Sequence, residues 1–166
     1  MSNPAADLRE VRIVGIPVGL WAISQEQGDD LVRELTLVAI GARAGEQDLP
    51  QRFTEVVHEL TTSYGHIGAS QEAELERARD AGESVIDLTY HMPPEVGRFA
   101  VEVAELMDEV DEYCRQGELL LSLASRPEIR AFRWWFLDEI RRQLEGEDPI
   151  AFRESHWAAE VNGPQK

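Results

Sequence analysis

The sequence predicts a mainly α-helical fold of about five helices in a compact bundle, with a short two-stranded β element formed by residues 11–17 and 118–123. Apolar residues recur at helical spacing over most of the chain, and proline or glycine marks the ends of these stretches. Of the 166 residues, 43% are hydrophobic, which suffices for a buried core. We therefore expect a disordered tail at 1–9, a single helical domain at 10–146 and an irregular tail at 147–166.

The N-terminal part begins with a predicted strand over residues 11–18, which is rich in β-branched residues and contains Pro17. A helix follows from about residue 19 to 44. Seven polar or small residues, 24–30, interrupt its apolar stripe. Either the helix begins late, with Asp29 as its cap, or its first two turns extend beyond the core, and we favour the second.

Three helices are predicted in the middle of the chain, at about 50–64, 70–92 and 94–114. Prolines in the first turn favour the starts of the first and the last of these. The last has the most regular apolar face, which includes Cys114, and its opposite face is acidic. The acidic residues of that face are Glu102, Glu105, Asp108, Glu109, Asp111 and Glu112.

A glycine and a brief apolar run at 117–123 predict a turn or a strand that pairs with the first one. The pattern Ser125-Arg-Pro-Glu128 is typical of a capping box and predicts a last helix to about residue 145. Its inward face consists of Ile129, Phe132, Trp135, Phe136, Ile140 and Leu144.

Charge and composition exclude several classes of function. The net charge of -16 and the pI near 4.6 argue against nucleic-acid binding and against docking on anionic membranes. Lys166 is the only lysine, so a Walker-type phosphate loop and a Schiff-base lysine are excluded. Cys114 is the only cysteine, so a disulfide within the chain is excluded. The longest apolar stretch, 13–23, is too short to span a bilayer. A cytoplasmic location is expected.

The histidines are the first candidates for chemistry. Glu55 and His58 have the Glu-x-x-His spacing of carboxylate-bridged di-iron bundles, but such a site needs a second copy, which the sequence lacks. A metal-dependent enzyme is thus the least favoured alternative, and we predict no catalytic residue, metal or cofactor. His66, between two glycines, is the best candidate for a ligand contact. Together with Gln25 and Glu26 it would line a pocket between helices.

The segment 130–142 of the last helix is the most unusual local feature. Trp134 points away from the predicted inward face, so this helix is apolar over much of its circumference. Such a helix is either the centre of the bundle or part of an interface, and Trp and Arg are frequent at the centres of interfaces. The candidate partner-binding residues are Arg133, Trp134, Trp135 and Arg141. The partner would be another protein or a second copy in a homodimer.

Two blocks of sequence resemble a family of small, largely uncharacterised actinobacterial helical proteins. The first comprises Val14-Gly-Ile-Pro-Val18, Gln25-Glu26 and residues 30–39, and the second comprises residues 117–128 and 132–142. The resemblance implies a setting of partner-switching stress regulation, in which anti-sigma ATPases, STAS-domain antagonists and PP2C-type phosphatases exchange partners. It implies no catalytic motif. Family members often have a histidine pair after the Gln-Glu, where this chain has Gln27-Gly28.

The sequence therefore predicts a non-enzymatic, cytoplasmic signalling protein that acts by protein–protein binding, and the resemblance implies a role in partner-switching control of transcription. Its expected partner is an anti-sigma ATPase or a STAS-domain regulator. The alternative from another class is a small-ligand sensor with a pocket between helices.

Overall fold

The computed structural model describes residues 7–41, 48–117 and 124–162. It confirms a mainly α fold with a small two-stranded sheet. In chain order the elements are β1 (Arg9–Pro17), α1 (Val18–Gly41), α2 (Asp48–Glu59) with a π-helical continuation (Leu60–Tyr64), α3 (Ala69–Asp80), β2 (Val85–Met92), α4 (Val96–Arg115), α5 (Pro127–Leu144), a 3-10 turn (Phe152–Glu154) and α6 (His156–Asn162).

The strand that pairs with β1 is β2, in antiparallel register from Arg9↔Met92 to Pro17↔Val85. The helix predicted over 70–92 is therefore wrong beyond Asp80. Its second half alternates between exposed and buried side chains, with Leu88, Tyr90 and Met92 inward, which is the period of a strand. Gly82, at φ +73°, ends the helical stretch. The partner predicted at 118–123 lies outside the described residues.

Two glutamine side chains satisfy backbone groups at the outer edges of this small sheet. Gln143 of α5 accepts a hydrogen bond from the backbone N of Arg12 (2.8 Å) and donates one to its carbonyl oxygen (2.7 Å). Gln71 of α3 donates to the carbonyl oxygen of Thr89 on β2 (2.7 Å). A two-stranded sheet is only marginally stable by itself, and its edges leave backbone groups without partners. The two glutamines pair with such groups and thereby stabilise the sheet.

Gly15 forms a bulge in β1 between Ile13 and Ile16. Its φ is +67°, and its backbone N donates to a carboxylate oxygen of Asp87 at 2.7 Å. A Cβ at this position would lie 2.8 Å from the Cβ of Ala151. Both the backbone conformation and the close approach of the C-terminal segment therefore require glycine.

We expect Gly15→Ala to lower the free energy of unfolding by about 2–3 kcal/mol, because backbone strain and a steric clash act together. Gly82→Ala is the matched control, since Gly82 also has a positive φ but a Cβ there would meet nothing within 4 Å. It should cost about 1 kcal/mol. Urea denaturation of the two variants measures both values. Equal costs would show that the contact with Ala151 adds nothing.

The core consists of two clusters, and α1 contributes to both. Val18 and Trp21, near the start of α1, are buried, and Trp21 belongs to the cluster around the sheet and α5. Leu31 and Leu35 belong to a second cluster with α2 and α4. The polar segment 24–30 thus connects the two clusters. The first turns of α1 do not extend beyond the core, and Asp29 is not its cap.

The longest apolar stretch, residues 13–23, is divided between β1 and α1. Over the parts of the chain that the structure describes, no helix combines the length and apolarity needed to cross a bilayer.

The C-terminal segment is structured up to Asn162, so the prediction of an irregular tail is wrong for residues 152–162. Side chains of α5 hold its backbone: Trp135 Nε1 donates to the carbonyl oxygen of Ile150 (2.9 Å), and Glu139 accepts from the backbone N of Ile150 (2.9 Å). Phe152 then packs against Phe132 and Trp135. At the other end, β1 begins at Arg9, inside the predicted tail, and residues 1–6 lie outside the described part.

Candidate ligand-binding cavity

A cavity of about 580 Å³ lies where the sheet cluster meets the π-helical turn. Five elements surround it: α1, the π-helical turn with the residues after it, α3, β2 and α5. Its lining residues are Trp21, Ser24, Gln25, Leu60, Thr61, Tyr64, Gly65, Gly68, Glu72, Leu75, Tyr90, Phe132, Arg133, Phe136 and Leu137.

The deep wall of the cavity is apolar and largely aromatic. Trp21, Leu75, Tyr90 and Phe132 are buried members of the sheet cluster. Phe136 packs edge-on against Tyr90 at 6.1 Å between ring centroids and lies 6.1 Å from Phe132. Ligand pockets commonly combine such walls with a few polar groups that fix orientation.

The polar groups lie mainly on the outer residues. Ser24 is half-buried, whereas Gln25 and Glu72 are exposed. The Thr61 hydroxyl donates to the carbonyl oxygen of Val57 (2.9 Å), so it is already occupied within its own helix. The cavity therefore has a hydrophobic interior and a hydrogen-bonding mouth.

The π-helical turn Leu60–Tyr64 forms one side of this mouth. π-helical segments are rare and occur frequently at functional sites. Gly65 follows directly, and a Cβ there would lie 2.5 Å from the carbonyl oxygen of Thr61. A side chain at this position would thus force the backbone of the turn to move.

Arg133 of α5 lines the cavity, and its guanidinium group forms ion pairs with two carboxylates of α4. One terminal nitrogen donates to Asp111 (2.9 Å) and to Asp108 (3.2 Å), and the other donates to the hydroxyl of Ser125 (3.1 Å). Asp111 also accepts from the backbone N of Ser125 at 2.8 Å. The side chain of Arg133 is 10% exposed and that of Asp111 is 2% exposed, so this is a buried ion pair.

Asp108 connects the buried pair to the surface of α5. It accepts two hydrogen bonds from Arg130 (2.9 and 2.8 Å) and one from Trp134 Nε1 (3.0 Å). Burial raises the pKa of Asp108, but the hydrogen bonds from Arg130 and Trp134 and the charges of Arg130 and Arg133 outweigh it. The pKa of Asp108 is therefore below its usual value.

The predicted acidic outer face of α4 is thus wrong for Asp111, which is buried, and incomplete for Asp108. The predicted capping box is also wrong: Arg126, and not Ser125, is the N-cap of α5, and its side chain makes no capping hydrogen bond. Ser125 binds Arg133 and Asp111 instead. Helical periodicity placed Asp108 and Asp111 on the outer face of α4. It could not predict that Arg133 of α5 would lie next to them.

The predicted ligand residues do not come together at one place. Gln25 lines the cavity, whereas Glu26 is exposed and lines neither the cavity nor the neighbouring depression. His66 lies in that depression, of about 700 Å³, with His91 and Gln71. No residue that lines the depression is buried, so a ligand there would remain largely hydrated.

The predicted partner-binding residues also separate. Trp135 is 1% exposed and belongs to the core, and Arg133 is in the buried ion pair, so neither position suits a partner contact. Trp134 is half-buried and stacks on Trp157 of α6 at 5.3 Å. Arg141 pairs with Asp138 on its own helix (2.8 Å) and with Glu145, the C-cap residue of that helix (2.6 Å). Of the two alternatives for α5, the central helix is the one that its contacts favour.

Sequence reasoning missed Tyr90, Phe132 and Gly68 as cavity residues. The predicted core position of Phe132 is confirmed, and the same side chain also lines the cavity. Tyr90 was placed in a helix, although the alternating pattern Leu88-Thr-Tyr-His-Met92 was a signal for a strand. Gly68 has no side chain, so nothing in the sequence indicated that it would line a cavity.

Cys114 and His58 were the other residues considered for chemistry. Burial, together with the charges of Asp111 and Glu34, raises the pKa of the Cys114 thiol to about 11, so its reactive thiolate is disfavoured. His58 is exposed. Within residues 7–41, 48–117 and 124–162, no group of three or more His, Cys, Asp or Glu side chains could hold a metal ion.

Comparisons with protein-family models, with curated proteins and with solved structures found no match for this chain.

Proposed function

We propose that this chain is a regulatory protein that binds a small organic ligand in the cavity between α1, the π-helical turn, α3, β2 and α5. The observation that carries the proposal is the cavity itself, whose aromatic interior is continuous with the core and whose polar mouth includes Ser24, Gln25 and Glu72. A volume of about 580 Å³ falls in the range of sites for small molecules.

The position of the cavity suits a sensor. Its walls belong to five elements that are distant in sequence, and α1 and α5 also contact the second cluster or the buried ion pair. A bound ligand would therefore stabilise the packing of the whole chain, and not of a single loop. Partners of the partner-switching type, an anti-sigma ATPase or a STAS-domain regulator, are our proposed readers of that state in a cytoplasmic setting.

Filling the cavity tests this function. A Cβ at Gly68 would lie 3.7 Å from a ring carbon of Tyr90, in ordinary contact, and Gly68 has a negative φ of -108°. We expect Gly68→Leu to place its side chain beside Tyr90 and to weaken binding of the neutral dye Nile red at least about tenfold, because the apolar space is occupied. Dye fluorescence titrated with protein measures the affinity.

Gly28→Leu is the control for this experiment, because it adds the same side chain on α1, where a Cβ would meet nothing within 4 Å. It should bind the dye as the parent protein does. Circular dichroism confirms that both variants are folded. Unchanged dye binding by a folded Gly68→Leu variant would overturn the assignment of the cavity.

Protein binding through α1 is a second candidate function. Leu37 and Ile40 are 65% and 78% exposed on the C-terminal part of this helix, which is unusual for large apolar side chains so close together. This surface replaces α5 as the candidate for contact with a partner.

A further inference from the structure

The charges around the cavity indicate which ligands it accepts. Glu72 and Arg133 are the charged residues among its lining side chains. The charge of Arg133 is already balanced by two carboxylates, Asp111 at 2.9 Å and Asp108 at 3.2 Å, although its Nε has no hydrogen-bond partner among the described residues. Glu72 makes no ion pair with any described residue. The uncompensated charge at the cavity is therefore negative.

The aromatic wall also favours a positively charged ligand. Trp21, Tyr64, Tyr90, Phe132 and Phe136 all contribute rings to the lining. The face of an aromatic ring carries negative electrostatic potential and attracts a cation, and the attraction increases when the cation loses water. Five rings together with one carboxylate are a combination that suits an ammonium group.

The pKa of Tyr90 reflects the negative charges close to the inner wall of the cavity. Its pKa is raised well above the ordinary value, first by burial and then by the negative charges of Glu72 and Glu74. These carboxylates thus act on a group of the inner wall and not only on the solvent outside. The net charge of -16 also attracts cations towards the molecule as a whole.

We infer that the ligand is an organic cation, in which an ammonium group lies between Glu72 and the aromatic rings and an apolar body fills the inner cavity beside Leu75 and Phe136. This inference rests on the proposed function, because it concerns the ligand of the same cavity. It names a chemical class: a protonated amine on an aromatic or aliphatic body, small enough for about 580 Å³.

Three probes with one ring system test the class. Naphthylethylamine is cationic, naphthylethanol is neutral and naphthylacetate is anionic at neutral pH. We expect the amine to bind about tenfold more tightly than the alcohol in calorimetric titrations, and the acetate to bind most weakly. An alcohol or an acetate that binds as tightly as the amine would overturn the inference.

Two variants locate the charge that discriminates. Glu72→Gln should reduce the preference for the amine over the alcohol about three- to tenfold while affinity for the alcohol stays the same. Glu76→Gln is the control, because Glu76 is an exposed carboxylate one turn further along α3 that does not line the cavity. A preference that Glu72→Gln leaves unchanged, or that Glu76→Gln reduces equally, would contradict the assigned role of Glu72.

Nile red separates this inference from the proposed function. If the dye binds, and Gly68→Leu prevents it, but the three probes bind alike, the cavity is a ligand site and the inferred class of ligand is wrong. If neither the dye nor any probe binds, both the class and the proposed function are wrong.

Discussion

Trp135→Ala is expected to lower the free energy of unfolding by about 4 kcal/mol, or to leave the chain unfolded at ordinary temperature. Trp135 is 1% exposed and contacts the rings of Phe132, Phe136 and Phe152 at centroid distances of 5.4–6.1 Å. Its removal leaves a cavity at the centre of the sheet cluster. The loss also deprives the carbonyl oxygen of Ile150 of its hydrogen bond, which adds about 1 kcal/mol.

Trp134→Ala is the matched control, one residue away on the same helix. Trp134 is half-buried, and its substitution removes the stacking contact with Trp157 and the hydrogen bond to Asp108. We expect a cost of about 1–2 kcal/mol and little change in helical content. Chemical denaturation followed by circular dichroism compares the two. If Trp134→Ala costs more than Trp135→Ala, the assignment of core and surface on α5 is reversed.

The second large effect is expected for Asp111→Leu, at about 3 kcal/mol, because it leaves the buried Arg133 with Asp108 as its one charged partner, at 3.2 Å, and removes the acceptor of the backbone N of Ser125. Breaking one side of a buried ion pair costs more than the pair contributes, since the remaining charge stays in an environment of low polarity. Thermal and urea denaturation both measure this loss.

Glu109→Leu is the control at the surface of the same helix. Glu109 pairs with Arg52 at 3.0 Å, and both side chains are about half exposed, so its loss should cost less than about 1 kcal/mol. The double variant with Asp111→Leu and Arg133→Met should recover part of the stability lost by Asp111→Leu alone, because the uncompensated buried charge of Arg133 is removed as well. A double variant less stable than the single one would show that the cost came from packing and not from charge.

Much of this fold follows from local sequence. The strand at 11–17 is determined by β-branched residues, and the apolar faces of α4 and α5 by helical period, so their contacts with the core were predictable. The side chains Ile129, Phe132, Trp135, Phe136, Ile140 and Leu144 were assigned inward, and each is buried or half-buried. The mainly helical character, 70% of the described residues, and the presence of a small two-stranded sheet agree with the prediction, but the second strand of that sheet was predicted as part of a helix.

The candidate site was less predictable, because its residues come from five elements. The sequence indicated Gln25 through the polar segment of α1, and the cavity contains that residue. It did not indicate that Gly68, Tyr90 and Arg133 would lie together. Their proximity depends on β2 being a strand, and the helical pattern of α3 concealed this.

What the sequence determined by itself is the class of fold, the burial of the single cysteine and the strong negative charge, because each depends on composition or on the period of one segment. The tertiary structure alone decided which strand pairs with β1, and that Asp111 is buried against Arg133. It also decided that Trp135 belongs to the core and that an aromatic cavity remains between the helices. Strand pairing, ion pairing and cavities are contacts between distant segments, and a pattern within one segment carries no information about its partner.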